Sequence, residues 1–289
     1  MSTRILTEFE LLTPKTIPEA LDILDEYRDS VTPIAGGTDV LVAMKFGFST
    51  EYAMSISAIP ELDYLSFDPD KGLRIGANTT IAQILDSKAV KQHYSALWQS
   101  AKIFATPQIR NSATLLGNLL RASPAGDCSC AIYALGGSIV LASKQGEREV
   151  DIDDLWISYQ KTERRIDELA IELRVPAPRT GSTSAFKRLT RVNEDLAKLN
   201  VAVNLVMDTD RCTDARIAMG CVAPTPIRLR ETEKKLIGQE LDGTALKRIT
   251  ASVKDEINPI DDQRSTAEYR KSVSGVFLRR AIEQACSLS

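Results

Sequence analysis

Residues 175–182 read Val-Pro-Ala-Pro-Arg-Thr-Gly-Ser, two prolines and a glycine within eight positions. Proline removes a backbone donor and pushes the preceding residue out of the helical region, so neither a helix nor a central strand runs through such a stretch. The chain has 289 residues, enough for one large domain or two ordinary ones. It is therefore expected to divide near residue 177. The patterns on either side differ. Before the break, helical and strand-like segments are mixed. Thr16 can cap a helix, Pro18 suits its first turn and Glu19 can complete a capping box, with Ala20, Leu21, Ile23, Leu24 and Tyr27 following at helical spacing. A short strand over 32–35 breaks at Gly36-Gly37, and a helix or tight turn starts at Thr38-Asp39. A second block begins near Leu73, with helices expected over 80–87 and 89–104, an irregular stretch over 106–127, and strands over 138–142 and 168–175. After the break, strand-like runs at 184–190, 200–207 and 215–222 are spaced by turn signals such as Asp208-Thr-Asp210, which predicts an antiparallel meander. Two helices are expected to close the chain. Thr244, Leu246, Ile249, Val253 and Ile257 mark the first. A capping box, Ser265-Thr-Ala-Glu268, opens the second, with Val273, Val276, Phe277 and Ile282 on its inner face. The class is α+β.

Composition removes several functions. The formal net charge is −3, and pairs such as Arg164-Arg165, Lys234-Lys235 and Arg279-Arg280 are scattered. They read as solvated helix faces, so nucleic acid is not expected as the main partner. No apolar run approaches the roughly 20 residues that span a bilayer, and the first residues carry no charged-then-apolar leader pattern. A cytoplasmic location is expected. Five cysteines are present and none forms a C-x-x-C pair; Cys128 and Cys130 make only C-x-C. They read as reduced, partly buried thiols, and no metal ligand is assigned. The single histidine, His93, lies in a helically spaced segment with polar neighbours and reads as a surface or helix-packing residue. A Ser–His or Cys–His engine has no other histidine to use. No side chain is assigned a catalytic role, and any hard chemistry falls to a cofactor.

Three stretches carry candidate chemistry. In Pro33-Ile-Ala-Gly-Gly-Thr-Asp-Val-Leu41, two glycines follow a strand, which lets backbone approach a bulky anion; the same pattern also makes ordinary structural turns. It is not the G-x-G-x-x-G dinucleotide fingerprint. The stretch 108–127 combines small polar residues with Ile109, Leu115, Leu116 and Leu119, so it reads either as an ordered structural loop or as backbone lying along an extended ligand. Thr114, Asn118 and Ser123 offer side-chain hydrogen bonds there, and Asp127 can accept from a ribose hydroxyl. In 185–198, Lys187 is either a solvent-facing strand lysine or a cation beside a flavin's N1–C2 edge, where it would favour the anionic reduced form.

Taken together and in order, these stretches resemble the flavin subunit of xanthine dehydrogenase, carbon monoxide dehydrogenase and their relatives. The resemblance rests on Ala35-Gly-Gly-Thr-Asp39, 114–127, 186–197, Ala223-Pro-Thr-Pro-Ile-Arg228 and the tail Asp262-Gln-Arg-Ser-Thr-Ala-Glu-Tyr-Arg270. It covers nearly the whole chain. It implies a vanillyl-alcohol-oxidase (PCMH)-type FAD-binding domain over 1–176, with subdomains of about 1–60 and 61–176. A C-terminal domain over 177–289 follows, with a three-stranded antiparallel sheet and helices. It implies non-covalent FAD, its pyrophosphate resting on Ala35, Gly36, Gly37, Thr38, Asp39, Val40 and Leu41. Thr114, Gly117, Asn118 and Asp127 would line the other side, and Phe104, Leu169 and Lys187 would lie near the isoalloxazine. One departure stands out: Leu116 occupies a position where the family has glycine, so it has an ordinary φ or the loop is rerouted. The implied partners are a large molybdopterin subunit and a small [2Fe–2S] subunit, assembled as a dimer of heterotrimers, with NAD⁺ or another acceptor. The longer cysteine-bearing insertion of the benzoyl-CoA-reductase branch is missing, so no cluster is expected in this chain. Two alternatives remain: a self-contained flavin oxidase of the same fold, and a scaffold module that has lost FAD.

Overall fold

The structure is a computed structural model that describes residues 8–287; the expectation of no leader at the N-terminus concerns residues outside that range. The chain opens with β1 (Glu10–Leu12), α1 (Ile17–Tyr27), β2 (Val31–Ile34), α2 (Val40–Lys45) and β3 (Tyr52–Ser55). The strands order β1-β3-β2 with both pairings parallel. Parallel neighbours need crossovers, and α1 and α2 serve as them. Thr16 caps α1 by accepting from the Glu19 N–H at 3.3 Å. The Glu19 carboxylate reaches back to the Lys15 N–H at 2.7 Å, one residue before the expected box partner.

A second sheet follows. It is built from β4 (Leu65–Asp68), β5 (Gly72–Gly76), then helices α3 (Ile81–Asp86), α4 (Lys88–His93), α5 (Ser95–Lys102), α6 (Pro107–Arg110), α7 (Leu115–Leu120) and α8 (Asp127–Leu135). β6 (Ser138–Ser143), β7 (Gly146–Asp151), the small hairpin β8 (Trp156–Ser158) and β9 (Lys161–Thr162), and β10 (Leu169–Val175) complete it. The sheet order is β4-β5-β10-β6-β7, all antiparallel. Two expectations are corrected here. The helix expected over 89–104 is two helices, broken at Tyr94, whose φ of −132° is not helical and whose buried ring sends its hydroxyl to the Pro176 carbonyl at 3.0 Å. The stretch expected to be irregular over 106–127 holds α6 and α7. The Thr106 and Thr114 hydroxyls cap them, accepting from Ile109 N at 3.3 Å and Gly117 N at 3.1 Å. Residues that read as loop formers act as helix caps.

The third sheet comprises β11 (Ser182–Leu189), β12 (Leu199–Asp208), β13 (Arg211–Gly220) and β14 (Ile227–Arg228), in that order and antiparallel. The three expected strands are present, and β14 adds a two-residue edge. α9 (Arg230–Leu236), α10 (Gly243–Thr250) and α11 (Ala267–Cys286) follow, one helix more than expected. α11 is capped by Thr266, not Ser265: the Thr266 hydroxyl accepts from Tyr269 N at 3.2 Å. Its buried stripe is Arg270, Ser274, Leu278, Ala281, Ile282 and Ala285, which leaves the expected core residue Val276 37% exposed. Among the described residues no helix is long and apolar enough to cross a membrane.

The third sheet packs on both faces. α11 covers one, while α5 and α8 cover the other. All nine residues of α8 are buried, so its sequence, Asp-Cys-Ser-Cys-Ala-Ile-Tyr-Ala-Leu, is small or apolar all round rather than amphipathic. Phe186, Ala202 and Ala218 of the third sheet belong to the same apolar cluster as the interior of the first 175 residues.

Two charge clusters fasten this contact. At the start of α8 the Asp127 carboxylate accepts from Arg188 Nη1 at 2.7 Å and Asn200 Nδ2 at 2.8 Å. Both charged side chains are under 10% exposed. Burial pushes the Asp127 carboxyl up, while Arg188 and Asn200 pull against it. Further along, Asp153 accepts from Arg216 at 2.8 Å and from Arg228 and Arg230 at 3.0 Å. Burial acts to raise its carboxyl, but the three guanidiniums outweigh it and hold the group below the usual carboxylate range. A depressed folded pKa gives stability that is present above the unfolded value of about 4 and disappears as pH falls through the folded value. Denaturant unfolding followed from pH 7 to pH 3 should show stability falling as the carboxylates protonate, and the fall should be smaller in Asp153→Asn. At pH 7 this variant should lose about 2 kcal/mol, between the surface and buried limits for ion pairs. Asp127→Ala leaves Arg188 buried without a counter-charge and should cost about 3–5 kcal/mol in the same assay.

Candidate functional site: a glycine-floored cleft

β2 stops where the Ile34 carbonyl accepts from Ile56 N at 3.0 Å. The chain then turns through Gly36 and Gly37 into α2. Gly37 has φ +68°, a left-handed conformation that glycine adopts without strain. Gly36 is required for a different reason: a Cβ there would lie 1.7 Å from the Ser112 carbonyl oxygen. The first glycine turn and the loop before α7 therefore touch backbone to backbone. Among the described residues, the N–H groups of the five consecutive residues Gly36 to Val40 find no acceptor. Unpaired donors in a row form a concavity suited to an anion.

The facing wall is α7 and the loop before it. Ile81 N donates to Ala113 O at 2.8 Å and Leu115 N to Thr79 O at 3.1 Å, pinning the loop to the segment after β5. A Cβ on Gly117 would come 2.8 Å from the Thr114 hydroxyl, so glycine there preserves the cap. Asn118 Oδ1 accepts from Ser129 N at 3.2 Å, tying α7 to α8. Leu116 takes an ordinary φ as the second residue of α7, is 1% exposed and forms part of the wall.

Between these walls lies a cleft of about 420 Å³. Of the residues singled out from sequence, Ala35, Gly36, Gly37, Thr38, Asp39 and Val40 line one side, and Thr114, Gly117 and Asn118 the other. Phe104 and Leu169 line it as well. Four others do not. Leu41 packs beside Gly37 and is 40% exposed. The Ser123 hydroxyl accepts from Ala125 N at 3.2 Å. Asp127 is committed to Arg188 and Asn200. Lys187 is absent from the lining as well. Ser184 Oγ accepts from Ala96 N and Phe186 joins the core of the first domain, so Lys187 projects from the opposite face with Ala185.

Sequence reading missed four longer polar side chains of the cleft. Arg121 Nε lies 3.7 Å from Asp39 Oδ1, an ion pair across the two walls. Gln160, Arg164 and Glu168 also line the cleft. Arg164 is not on a solvated face: it is half-buried, and its Nη1 donates to Arg165 O at 3.0 Å and Glu168 O at 2.7 Å. Burial pushes its guanidinium below the ordinary value, opposed by Glu168 and Asp167. Burial acts to raise the Glu168 carboxyl, but Arg148 and the Arg165 N–H outweigh it and hold the group below its usual range. Neither position carries a local signal, because both depend on the β8–β9 hairpin folding back toward α7. Three non-glycine residues with left-handed φ sit in or next to the cleft lining: Ala105 (38°), Ala122 (48°) and Gln160 (58°). Gln160 N donates to Ala122 O at 3.0 Å, so two of them hold each other. Such strain persists where surrounding structure over-determines it and gathers at ligand sites. His93 stacks on Phe67 with ring centroids 4.7 Å apart and takes no part in the cleft. Burial pushes the thiols of Cys128 and Cys221 up to about 12, so they are protonated and unreactive at neutral pH.

Residues 7–178 match the family described as "FAD binding domain in molybdopterin dehydrogenase", and residues 184–285 match "CO dehydrogenase flavoprotein C-terminal domain". The chain is 31% identical to the carbon monoxide dehydrogenase medium chain of Afipia carboxidovorans, covering 96% of each chain. It is 30% identical to the glyceraldehyde dehydrogenase medium chain of Sulfolobus acidocaldarius, over 96% of this chain and 98% of that one. It superposes on a chain of the reconstituted CO dehydrogenase from Oligotropha carboxidovorans with a TM-score of 0.94 at 31% identity, covering 99% of this chain and 100% of that one. The cleft with its unpaired N–H row therefore lies in the matched FAD-binding domain, and the chain belongs to the FAD-binding medium subunits of the molybdenum hydroxylase family, which are oxidoreductases.

Proposed function

We propose that this chain carries FAD as the electron-transfer subunit of a heteromeric molybdenum hydroxylase. The observation that carries the reading is the run of five residues from Gly36 to Val40, which line the cleft opposite α7 and whose N–H groups have no acceptor among the described residues. That run fits a pyrophosphate, and the Phe104, Leu116 and Leu169 side chains offer the apolar surface a flavin ring requires. FAD, when bound, supplies an exchange between single-electron donors and a two-electron acceptor. The chain's own residues do the rest. Gly36 to Val40 hold the phosphates, and Thr114, Gly117 and Asn118 close the facing side. Leu41, Ser123, Asp127 and Lys187 lie outside the residues that line the cleft.

On this reading the FAD-binding domain spans 1–176, in subdomains of about 1–60 and 61–176, and the C-terminal domain spans 177–289. Electrons come from [2Fe–2S] clusters of a small subunit, which receives them from a large molybdopterin subunit, and leave to NAD⁺ or another acceptor. The assembly is a dimer of heterotrimers in the cytoplasm. FAD is held without a covalent bond. In support, no histidine or cysteine is among the described residues that line the cleft.

Acid precipitation of the purified chain should release one FAD per chain into the supernatant. A folded protein with no flavin absorbance sinks the proposal, and flavin left in the pellet favours a covalent oxidase. Gly36→Ala drives a methyl group into the Ser112 carbonyl and should weaken FAD binding by at least about tenfold, or about 1.4 kcal/mol, read by fluorescence titration, with the circular dichroism spectrum kept. Thr114→Ala removes the α7 cap and should lower stability by about 1 kcal/mol, measured by denaturant unfolding.

A further inference from the structure

We propose that Arg121 exchanges Asp39 for the pyrophosphate when FAD binds, and so supplies the positive charge that the glycine turn lacks; the inference rests on the FAD reading above. A pyrophosphate diester carries one negative charge on each phosphate. The N–H groups of Gly36 to Val40 have no acceptor among the described residues, but they are neutral dipoles. They orient an anion without cancelling its charge. The Asp39 carboxylate belongs to the same turn and opposes an incoming anion. A cation beside the turn offsets both.

Four charged residues line the cleft among the described residues: Asp39, Arg121, Arg164 and Glu168. Two of them are already committed. Glu168 takes Arg148 Nε at 2.5 Å, and Arg164 Nη1 donates to the Arg165 and Glu168 carbonyls. Asp39 and Arg121 are held far more loosely. Arg121 Nε lies 3.7 Å from Asp39 Oδ1, too far for a hydrogen bond. Neither side chain has another partner among the described residues. Asp39 stands at the N-cap position of α2, yet its side chain makes no capping hydrogen bond. The whole donor fork of Arg121 is therefore unspent. The Asp39 side chain is 59% exposed and that of Arg121 30%, so the pair is of the surface kind, worth at most about 1 kcal/mol. A guanidinium on a phosphate makes charge-assisted, often bidentate hydrogen bonds, about twice as strong as neutral ones. The exchange thus runs toward the stronger partner. It needs no backbone movement at Arg121, whose N–H is fixed on the Gly117 carbonyl at 3.0 Å at the end of α7. The partner it leaves is one of the five residues of the donor row, so the cation already stands beside the anion-holding turn.

The test uses the full chain with FAD titrated into it. Oxidised-state affinity is read by flavin fluorescence and the midpoint potential by reduction against a dye of known potential. Arg121→Gln should weaken FAD binding about tenfold, or about 1.4 kcal/mol. The pyrophosphate keeps its charge when the ring is reduced, so both redox states lose equally and the potential should stay at the wild-type value. Arg121→Met keeps the aliphatic stem and should match Gln, which guards against a folding artefact in either variant, and Arg121→Lys should retain most of the affinity. Asp39→Asn leaves the backbone N–H in place and removes the competing carboxylate, so it should tighten binding about threefold. The loss in Arg121→Gln should shrink as salt rises from about 0.01 M to about 1 M, where the screening length falls from about 30 Å to about 3 Å. Unchanged affinity in both neutral variants overturns the proposal. So does weaker binding in Asp39→Asn, which would make the pair a fixed brace between the walls. A potential that moves in Arg121→Gln overturns it as well, because the cation would then act on the ring. A wild-type chain that binds no FAD brings down the underlying reading, a result distinct from FAD binding that ignores Arg121.

Discussion

The site depends on one backbone contact. Gly36 comes so close to the Ser112 carbonyl that no side chain fits between them. That approach joins the turn after β2, in the parallel sheet, to the loop that introduces α7, beside the antiparallel sheet. The two sheets belong to different layers of the domain, and nothing in the first alone forms a closed cleft. With the contact in place, the residues that carry the unpaired donors, Gly36 to Val40, and those of α7 line one cleft. Without it, each wall would remain a surface turn. The glycine pair therefore does two separate jobs. One residue supplies conformational freedom, and the other supplies absence of volume.

What sequence could and could not reveal follows the range of the interaction involved. The Thr16 cap, the strand ending before Gly36 and the meander after residue 182 are set by neighbours a few positions away, and they were legible. α6 and α7 were not, because threonine, asparagine and glycine read equally well as loop and as cap, and only the Thr106 and Thr114 hydrogen bonds decide between them. α8 escaped notice because a helix buried on every side has no periodicity to detect. Lys187 shows a sharper limit. Its neighbours were read correctly as a strand, yet which face it takes is set by where Phe186 and Arg188 find partners, some 60 to 90 residues away. Arg164 was read as solvated for the converse reason: its surroundings arrive through a hairpin that folds back on α7.

The charges of the cleft are paired. Arg121 and Asp39 face each other across the opening, so the donors at the glycine turn are backbone groups with no net charge. Arg164 and Glu168 line the same cleft, and the Glu168 carboxylate is held by Arg148. Ala122 and Gln160, both with left-handed φ, are joined to one another by a backbone hydrogen bond beside the cleft.

α8 has a consequence beyond its place in the core. The helix is counted within the first domain by chain order, yet one of its sides is closed by the third sheet, chiefly β12 and β13, and its first carboxylate is paired with Arg188. Each domain thus holds part of the other's interior. Separating the two halves at 175–182 would expose a helix with little polar surface and a buried guanidinium. Either half alone would have an unfinished core.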